Sequence, residues 1–600
     1  MNIPVNFDLS SLRRAYAEGA VTPEQVIDEA LRRADDRRYP NVWITKTSRH
    51  QLLELARALP PRPTDNLPLY GVPFAIKDNI DLARVTTTAG CPEFVYLPTE
   101  SATVVERLIA AGALPIGKTN LDQFATGLVG TRSPYGDCQS VFNPHYISGG
   151  SSSGSAVAVA AGMVTFALGT DTAGSGRVPA AFNNIVGHKP TRGLLSNSGV
   201  FPACRSLDCV SIFAGSCHDA QAVLDAAAGF DFNDPYSRQP PKSAVTFPEQ
   251  FRFGILSPAQ RKFFGDNEAA ALYEMAIARL RECGGEVVEI DFTPFAQAAA
   301  LLYAGPWVAE RRWALGEFFE KRGDSIHPVV RDIIAGAAKY DAVAAFDAQY
   351  QLQAHAQTVR KIFSELDVLL LPTTGTIYRI EKVLADPIKL NSNLGYYTNF
   401  VNLLDLTAIA LPAGFRASSK LPFGITLVAP AFSDDALLSL GARFHAAVGG
   451  NIGASPAKIS DQPLPRKENP GVPLAVVGAH LRGQPLNHQL TSRRARFVRQ
   501  TRTSPHYRLY ALANTQPPKP GLRRVAEKLP QGIEIEIWAL DEAAFGSFVA
   551  EIPPPLGIGT LELEDGGSVK GFLCEPIGLE GARDITEFGG WRAFRQSLTK

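Results

Sequence analysis

The stretch ISGGSSSGSAVAVAAGMVTFALGTDTAGSGRVPA, residues 147–180, places two clusters of serine and glycine on either side of an apolar segment. Glycine and serine at this density are typical of flexible linkers. Here, however, the apolar run 156–161 follows the first cluster directly, and the second cluster lies just beyond it. We therefore expect these glycines inside a folded core and not between domains.

Three interpretations of this stretch are open from its residues. The first is a glycine-rich turn that lets a buried helix pack closely. The second is a nucleophile elbow, because residues 150–154 fit the pattern G-x-S-x-G around Ser152, although residues 142–146 predict a turn where an elbow needs a strand. The third treats both clusters as one site, in which a helix begins near Ser155 and residues 169–175 form a loop whose main-chain N–H groups make an oxyanion hole.

In the third interpretation Ser175 is a nucleophile, and a serine hydroxyl is weak unless a base takes its proton. No histidine stands out near it in the sequence. The candidate base is Lys77, in an otherwise apolar strand whose same face carries the small residues Pro73 and Ala75. Desolvation lowers the pKa of a lysine, so a neutral amine can act as the base. The alternative is a solvated lysine at a strand end, which is the usual environment of this residue type.

The combined pattern resembles the amidase signature family. It joins residues 147–180 to GVPFAIKDNI (71–80) and GKTNLDQFATG (117–127), and the resemblance covers about residues 10–445. It implies an α/β fold with a mixed central sheet flanked by helices. It also implies a Ser–Ser–Lys triad, with Lys77 as the base, Ser151 as the bridging serine with a cis peptide, and Ser175 as the nucleophile. The oxyanion hole is implied to consist of the main-chain N–H groups of Thr172, Ala173, Gly174 and Ser175.

A second motif, GALPIGKT at residues 112–119, matches the P-loop pattern G-x-x-x-x-G-K-[ST]. A phosphate loop leaves a strand and opens a helix. Here Gly112 ends a predicted helix, and the residues that follow it are apolar and typical of a strand. The context therefore disfavours a nucleotide site, and a nucleotide-binding protein stays a rival hypothesis.

The segment LLYAGPWVAERRWAL, residues 301–315, resembles the part of allophanate hydrolases that holds the substrate carboxylate. By this resemblance Tyr303 and Arg311 form an anionic clamp, and Gly127 lines the pocket with its backbone. The planar fork of an arginine matches a carboxylate. The alternative is an amphipathic helix with Arg311 and Arg312 on its surface.

Composition changes near residues 451–471, which are rich in proline and charge and lack periodicity. We predict an amidase signature domain at 1–450, a linker at 451–470 and a C-terminal domain at 471–600. Short β-branched or alternating runs at 474–477, 507–512 and 533–540 indicate a small α+β domain.

This tail resembles the C-terminal domain of allophanate hydrolases, which is similar to the γ-glutamyl cyclotransferase fold. In some members that domain is implicated in decarboxylating N-carboxycarbamate. His480 is the candidate residue for this step, and His488 is the alternative.

Bulk composition disfavours several classes of function. Lys plus Arg and Asp plus Glu both number 59, so no net charge attracts nucleic acid. The seven cysteines form no paired framework and indicate reduced thiols in the cytoplasm. No apolar run is long enough for a membrane span, and no H-E-x-x-H or Cys/His cluster predicts a metal. No other cofactor is implied, biotin included.

Together these resemblances imply hydrolysis of allophanate, with release of ammonia and, after decarboxylation, carbon dioxide, in the degradation of urea nitrogen. They imply a homodimer coupled in function to a urea carboxylase. The alternatives are another amidase-signature amidohydrolase, a glutamyl-tRNA amidotransferase-like subunit, and a C-terminal domain that serves assembly alone.

Overall fold

The computed structural model describes residues 7–241, 245–459, 464, 471–493 and 495–598. The chain divides into two compact units, Met1–Pro241 with Val245–Arg466, and Lys242–Ala244 with Lys467–Lys600. Half of the predicted linker 451–470, residues 460–463 and 465–470, lies outside the described residues. Its first part packs on the first unit, since the Gly453 N–H donates to the Asn184 carbonyl over 3.0 Å.

Within the described residues, the first unit has thirteen strands, and eleven of them form a mixed sheet at its centre. The strands are β1 (Trp43–Lys46), β2 (Pro73–Lys77), β3 (Leu114–Thr119), β4 (Gln139–Ser140), β5 (Asn143–Ile147), β6 (Phe166–Asp171), β7 (Val186–Lys189), β8 (Cys209–Ala214), β9 (Phe251–Leu256), β10 (Gly285–Ile290), β11 (Val368–Pro372), β12 (Leu406–Phe415) and β13 (Pro422–Pro430). Their order is β1-β3-β2-β6-β8-β7-β12-β13-β11-β9-β10, with β4 and β5 as a separate pair. Strand β2 runs parallel to both β3 and β6.

Helices surround this sheet, so the predicted mixed sheet flanked by helices is confirmed. The α-helices are α1 (Leu9–Ala17), α2 (Pro23–Ala34), α3 (Arg49–Ala58), α4 (Thr103–Ala110), α5 (Ser153–Ala160), α6 (Val178–Phe182), α7 (Cys217–Ala227), α8 (Asn267–Glu282), α9 (Thr293–Tyr303), α10 (Val308–Leu315), α11 (Glu317–Arg322), α12 (Pro328–Ala335), α13 (Ala342–Phe363), α14 (Ile380–Ala385), α15 (Lys389–Leu394), α16 (Phe400–Leu403) and α17 (Asp434–Val448). Within the described residues, no helix is both long and apolar enough to cross a membrane.

Strand β11 shows how the sheet separates two hydrophobic cores. Val368 and Leu370 belong to one core, together with residues of α5, α7, α8 and α17. Leu369 and Leu371 belong to the other, together with residues of α9, α13 and α16. Because successive side chains of a strand point to opposite faces, both faces of the sheet are covered.

The serine- and glycine-rich stretch forms the connection from the β4–β5 pair into the centre of the sheet. The predicted helix is present as α5, which begins at Ser153, and every residue of it is buried. The strand that follows, β6, was not predicted, and the loop after it begins at Thr172 and not at Gly169. The turn predicted at residues 142–146 is wrong, because Asn143–Ile147 is strand β5.

The P-loop motif lies in a buried strand. Residues 114–119 form β3, and Lys118 is fully buried. Its ammonium lies 3.2 Å from the Asp78 carboxylate and donates to the Thr87 hydroxyl over 2.8 Å. Because Lys118 is held in an ion pair and no α-helix opens at Thr119, this motif has neither the free lysine nor the helix N-terminus of a phosphate loop.

The second unit is a small α+β domain, as predicted. Its strands are β14 (Val472–Val476), β15 (Arg496–Arg502), β16 (Tyr507–Ala511), β17 (Pro520–Arg524), β18 (Glu534–Leu540), β19 (Leu556–Glu562), β20 (Ser568–Cys574) and β21 (Arg583–Asp584), and its α-helices are α18 (His488–Thr491), α19 (Glu542–Ala550) and α20 (Trp591–Ser597). Five strands form one sheet in the order β15-β18-β14-β20-β19, and three form another. Its hydrophobic core consists of residues between Leu474 and Phe594.

Candidate active site

Lys77 ends strand β2 beside two hydroxyl groups. Its Nζ lies 2.8 Å from the Ser151 Oγ and 2.7 Å from the Thr170 Oγ1. Thr170 comes from β6, which pairs with β2, so the sheet itself brings the two side chains together. Thr170 was not among the predicted site residues. One indication in the sequence that Thr170 belongs to the site is its position in the G-T-D motif directly before Asp171.

The environment of Lys77 favours a neutral amine. The side chain is fully buried, and this burial lowers its pKa to about 7, against the opposing influence of the Asp122 carboxylate first and the Asp208 carboxylate second. A cationic amine donates to both hydroxyls, whereas a neutral amine keeps a lone pair that can accept from one of them. The geometry therefore suits proton transfer from Ser151 to Lys77.

Asp122 holds the backbone around Ser151. The Gly150–Ser151 peptide bond is cis. The Asp122 N–H donates to the Ser151 carbonyl over 3.0 Å, and its carboxylate accepts from the Val129 and Gly130 N–H groups, each over 3.1 Å. Asp122 was not predicted as a site residue, although it lies within the motif GKTNLDQFATG. The hydrogen bonds of Asp122 join it to residues 129, 130 and 151, and contacts between residues this far apart are not visible in the sequence.

Ser175 is buried, with 4% of its surface exposed. Its hydroxyl donates to the Gly127 carbonyl over 3.4 Å. Among the residues that the structure describes, no hydrogen bond joins Ser175 to Ser151. Catalytic hydrogen bonds are often long or open in the absence of substrate. The structure thus pairs Lys77 with Ser151 and Ser175 with Gly127.

The loop after β6 was predicted to supply four N–H groups to an oxyanion. The Gly174 N–H donates to the Asp171 carboxylate over 2.8 Å and is already used within the protein. The N–H groups of Thr172, Ala173 and Ser175 have no acceptor among the described residues. Three of the four predicted donors are therefore available to a bound oxygen.

Two buried carboxylates fix this loop. Asp171 accepts two hydrogen bonds from the Arg177 guanidinium, each over 2.9 Å. Asp208 accepts from the Thr172 hydroxyl and, over 2.7 Å, from the Ala203 N–H, and burial raises its pKa to about 6. Neither carboxylate was predicted as a site residue. Asp171 lies within the G-T-D motif, whereas the sequence does not reveal that Asp208 and the residues near 205 reach the loop.

Arg311 is a buried guanidinium next to the loop that carries Gly127. Helices α9 and α10 meet at a break, which brings the Tyr303 hydroxyl to 3.3 Å from one nitrogen of Arg311. Another nitrogen donates to the Thr126 hydroxyl over 2.8 Å. Arg311 is 3% exposed, and within the described part of the chain it forms no ion pair. Arg312, in contrast, pairs with Glu320 at the surface.

The two contacts at residues 126 and 127 connect the predicted clamp to the predicted nucleophile. Arg311 binds the Thr126 hydroxyl, and Ser175 binds the carbonyl of the next residue, Gly127. Consecutive Cα atoms are 3.8 Å apart, so both groups converge on one short piece of backbone.

In the second unit, His480 lines a cavity of about 240 Å³. Its Nε2 lies 2.8 Å from the Gln489 Oε1, its ring stacks on Phe572 at 5.2 Å, and burial lowers its pKa. Lys519 lines the same cavity. His488 is exposed, with its Nδ1 2.9 Å from the Pro485 carbonyl, and does not line it. In the described residues, no group of three or more His, Cys, Asp or Glu side chains could hold a metal ion.

Comparison with known proteins gives two family matches. A family model described as amidase matches residues 25–438, and one described as allophanate hydrolase C-terminal domain matches residues 472–596. Urea amidolyase of Saccharomyces cerevisiae is 45% identical over 577 residues, which cover 93% of this chain and 31% of that protein. The chain thus spans about a third of the length of that relative.

Other relatives match the chain over different extents. One component of the glutamyl-tRNA(Gln) amidotransferase of Deinococcus deserti is 32% identical over 469 residues, covering 73% of this chain and 95% of that protein. Among solved structures, Kluyveromyces lactis allophanate hydrolase superposes with a TM-score of 0.83 at 42% identity, covering 98% of this chain and 99% of that one. The last match extends over both units.

Proposed function

Because the chain belongs to the amidase family and carries an allophanate hydrolase C-terminal domain, we propose that it hydrolyses allophanate (urea-1-carboxylate) with release of ammonia. The observation that carries this proposal is Arg311, a buried guanidinium with no ion-pair partner among the described residues. Burying a charge without a partner is unfavourable, and a substrate carboxylate would supply the missing anion. A neutral amide would leave that charge uncompensated.

The proposed reaction uses only side chains and backbone of the first unit. Ser175 turns from the Gly127 carbonyl and attacks the terminal amide carbon, while its proton passes through Ser151 to Lys77. The oxyanion accepts hydrogen bonds from the N–H groups of the loop, and such donors stabilise charge that develops in the transition state. The relay returns the proton to departing ammonia. Water then cleaves the acyl-enzyme and releases N-carboxycarbamate.

A substrate panel tests this proposal against its alternatives. Ammonia release is measured from allophanate, its neutral analogue biuret, glutamine and simple amides. We expect the highest kcat/KM for allophanate. Equal rates for biuret and simple amides would favour a broad amidohydrolase, and turnover of glutamine alone would favour an amidotransferase-like subunit.

Replacing Arg311 with alanine should weaken binding of the carboxylated substrate selectively. Loss of a charge-assisted hydrogen bond of about 3 kcal/mol predicts a KM for allophanate raised about 100-fold. The KM for biuret should change less than about threefold, since biuret has no carboxylate. Steady-state kinetics on both substrates measure the difference.

The matched control is Arg312→Ala, which removes the neighbouring arginine at the surface of the same helix. It should leave both KM values near those of the parent. Equal losses for allophanate and biuret in Arg311→Ala would contradict the clamp.

We propose further that residues 471–600 decarboxylate the first product and that His480 acts in this step, with 451–470 as the linker from the amidase domain at 1–450. The support is the cavity that His480 shares with Lys519, since an imidazole and an ammonium both suit a carboxylate. His480→Ala should leave the first ammonia release unchanged and slow carbon dioxide formation about tenfold or more. Carbon-13 NMR of accumulating N-carboxycarbamate measures the second step.

His488→Ala is the control for this variant. It should affect neither step, because its side chain lies outside the cavity. An effect of His488→Ala alone would transfer the role to the alternative residue. If neither variant slows decarboxylation, the domain serves assembly.

The remaining proposals concern partners and location. We propose a cytoplasmic homodimer coupled in function to a urea carboxylase. The coupling is supported by the urea amidolyase relatives, in which the matched region is about a third of a longer chain. An isologous contact is supported by Val343, Phe346 and Tyr350, exposed apolar residues at helical spacing on α13 that could pack on a second copy.

A further inference from the structure

Arg132 is a second buried arginine beside the candidate active site. It is 2% exposed, and its guanidinium donates to the Thr126 carbonyl over 3.0 Å and to the Pro387 carbonyl over 2.6 Å. Its Nε has no partner among the described residues. Its guanidinium also forms no ion pair in that part of the chain. Burial lowers the pKa of Arg132 against the opposing influence of the Asp122 carboxylate, which accepts from the Arg132 main-chain N–H over 3.0 Å. A buried guanidinium that hydrogen-bonds only to carbonyl groups is costly to keep, so its contacts require an explanation.

The dipeptide Thr126–Gly127 links three groups of the site. Arg132 binds the Thr126 carbonyl, and Arg311 binds the Thr126 hydroxyl. Ser175 binds the Gly127 carbonyl. Asp122 and the stem of Arg132 also pack against this dipeptide, since a Cβ placed on Gly127 would lie 2.5 Å from the Asp122 Oδ2 and 3.2 Å from the Arg132 Cδ. Any movement of this backbone therefore moves the partner of the Ser175 hydroxyl.

The backbone that leads into the dipeptide is strained. Phe124 and Ala125 have φ angles of +51° and +52°, in the left-handed region that non-glycine residues rarely occupy. Such conformations persist when surrounding contacts hold them. The Phe124 ring packs against other aromatic rings, and its N–H donates to the Ala89 carbonyl over 2.9 Å. The Ala125 carbonyl accepts from Arg311 over 3.4 Å, and the carbonyl after it, that of Thr126, accepts from Arg132.

We propose that Arg132 is a positioning residue that clamps the Thr126 carbonyl to the Pro387 carbonyl and thereby fixes the Gly127 backbone that lines the site beside the Ser175 hydroxyl. The inference rests on the proposed role of Ser175 as nucleophile. Arg132 acts through the dipeptide and not on substrate. A planar guanidinium can reach two carbonyls at once, whereas a lysine ammonium is a single point charge on a flexible stem.

The test uses the full chain and a serine reagent, so that it does not depend on the identity of the substrate. Phenylmethanesulfonyl fluoride sulfonylates a nucleophilic serine with loss of fluoride, and peptide mass mapping locates the label. We expect Arg132→Lys to slow labelling of Ser175, and kcat on allophanate, about tenfold or more, because small displacements of a reacting group lower rates steeply. The KM for allophanate should change less than about threefold.

Arg416→Lys is the matched control. Arg416 is also buried, donates to the Pro422 carbonyl over 2.6 Å and pairs with Asp266 over 2.9 Å, but has no contact with the dipeptide. The rate at which Ser175 is labelled in Arg416→Lys should equal the rate in the parent. Arg132→Gln removes the charge and keeps one donor, and should be as slow as Arg132→Lys. Thermal unfolding shows whether each variant is folded. If Arg132→Gln does not fold, the comparison of Arg132→Lys with the parent still tests the proposal.

The labelling and kinetic results of these variants either support or overturn the proposed role of Arg132. If the parent is labelled at Ser175 and Arg132→Lys is labelled equally fast, positioning by Arg132 is overturned while the nucleophile stands. If Arg132→Lys matches the parent and Arg132→Gln is slow, charge and not geometry is responsible. A change confined to the KM for allophanate would make Arg132 part of the clamp. Failure of the parent to be labelled at Ser175 would overturn the nucleophile and this inference with it.

Discussion

Ser175→Ala is expected to lower ammonia release by about 10⁴-fold or more, because the acyl-enzyme cannot form without the hydroxyl. Within the described part of the chain, the hydroxyl makes one hydrogen bond, 3.4 Å long, to the Gly127 carbonyl, so its removal leaves the surrounding contacts in place. The variant should therefore fold and unfold at nearly the temperature of the parent. Ammonia release under saturating allophanate, with thermal unfolding measured alongside, tests both parts.

Ser153→Ala is the matched control for this variant. Ser153 lies at the start of α5 and is also buried, but its hydroxyl donates to the Asn120 carbonyl, over 3.4 Å, and not to a group of the site. We expect kcat to stay within about threefold of the parent, since one weak buried hydrogen bond is removed. Substantial turnover by Ser175→Ala would assign the nucleophile to another residue.

Lys77→Met should lower kcat by about 10³-fold or more, because the relay from Ser175 through Ser151 then ends without a base. Methionine approximates the length of the lysine stem and removes a buried amine, so the packing of β2 should survive. The hydroxyls of Ser151 and Thr170 would lose a partner at 2.8 Å and 2.7 Å. Lys189→Met is the control, since Lys189 is likewise fully buried but donates to the Pro190 carbonyl, over 2.7 Å.

The pH dependence follows from the same amine. Below about pH 7 the Lys77 side chain is cationic and cannot accept a proton, whereas above its pKa it is neutral. We therefore expect kcat/KM to rise about tenfold per pH unit on the acid side and to level off above neutrality. A pH–rate profile of the parent tests the sign. A rate that is flat from pH 5 to 9, or that falls as pH rises through 7, would contradict a neutral lysine base.

Local patterns in the sequence predicted much of the fold. The helix that ends before Gly112 is followed by β3 as expected. The three strand runs of the C-terminal domain also match observed strands. Each of these signals involves residues that are close in sequence, where periodicity and capping decide the structure.

Features that depend on distant contacts were missed. Strand β6 was hidden because an apolar run of this length, buried on both faces, resembles part of a buried helix. The Gly174 N–H donates to the Asp171 carboxylate, and Arg132 donates to the Thr126 carbonyl. Both hydrogen bonds depend on the three-dimensional course of the loops, which the sequence does not show. Family resemblance indicated which side chains to examine, but not which of them hold the backbone in place.

The two units have separate hydrophobic interiors, and this separation bears on how such chains change over generations. Among the residues that the structure describes, the apolar cluster of the second unit contains none from before Leu474, and the two cores of the first contain none from after Leu464. A lineage can therefore lose, exchange or redesign the tail without opening the interior that surrounds the amidase sheet. The proposed amide hydrolysis and the proposed decarboxylation of its product are then free to evolve at different speeds.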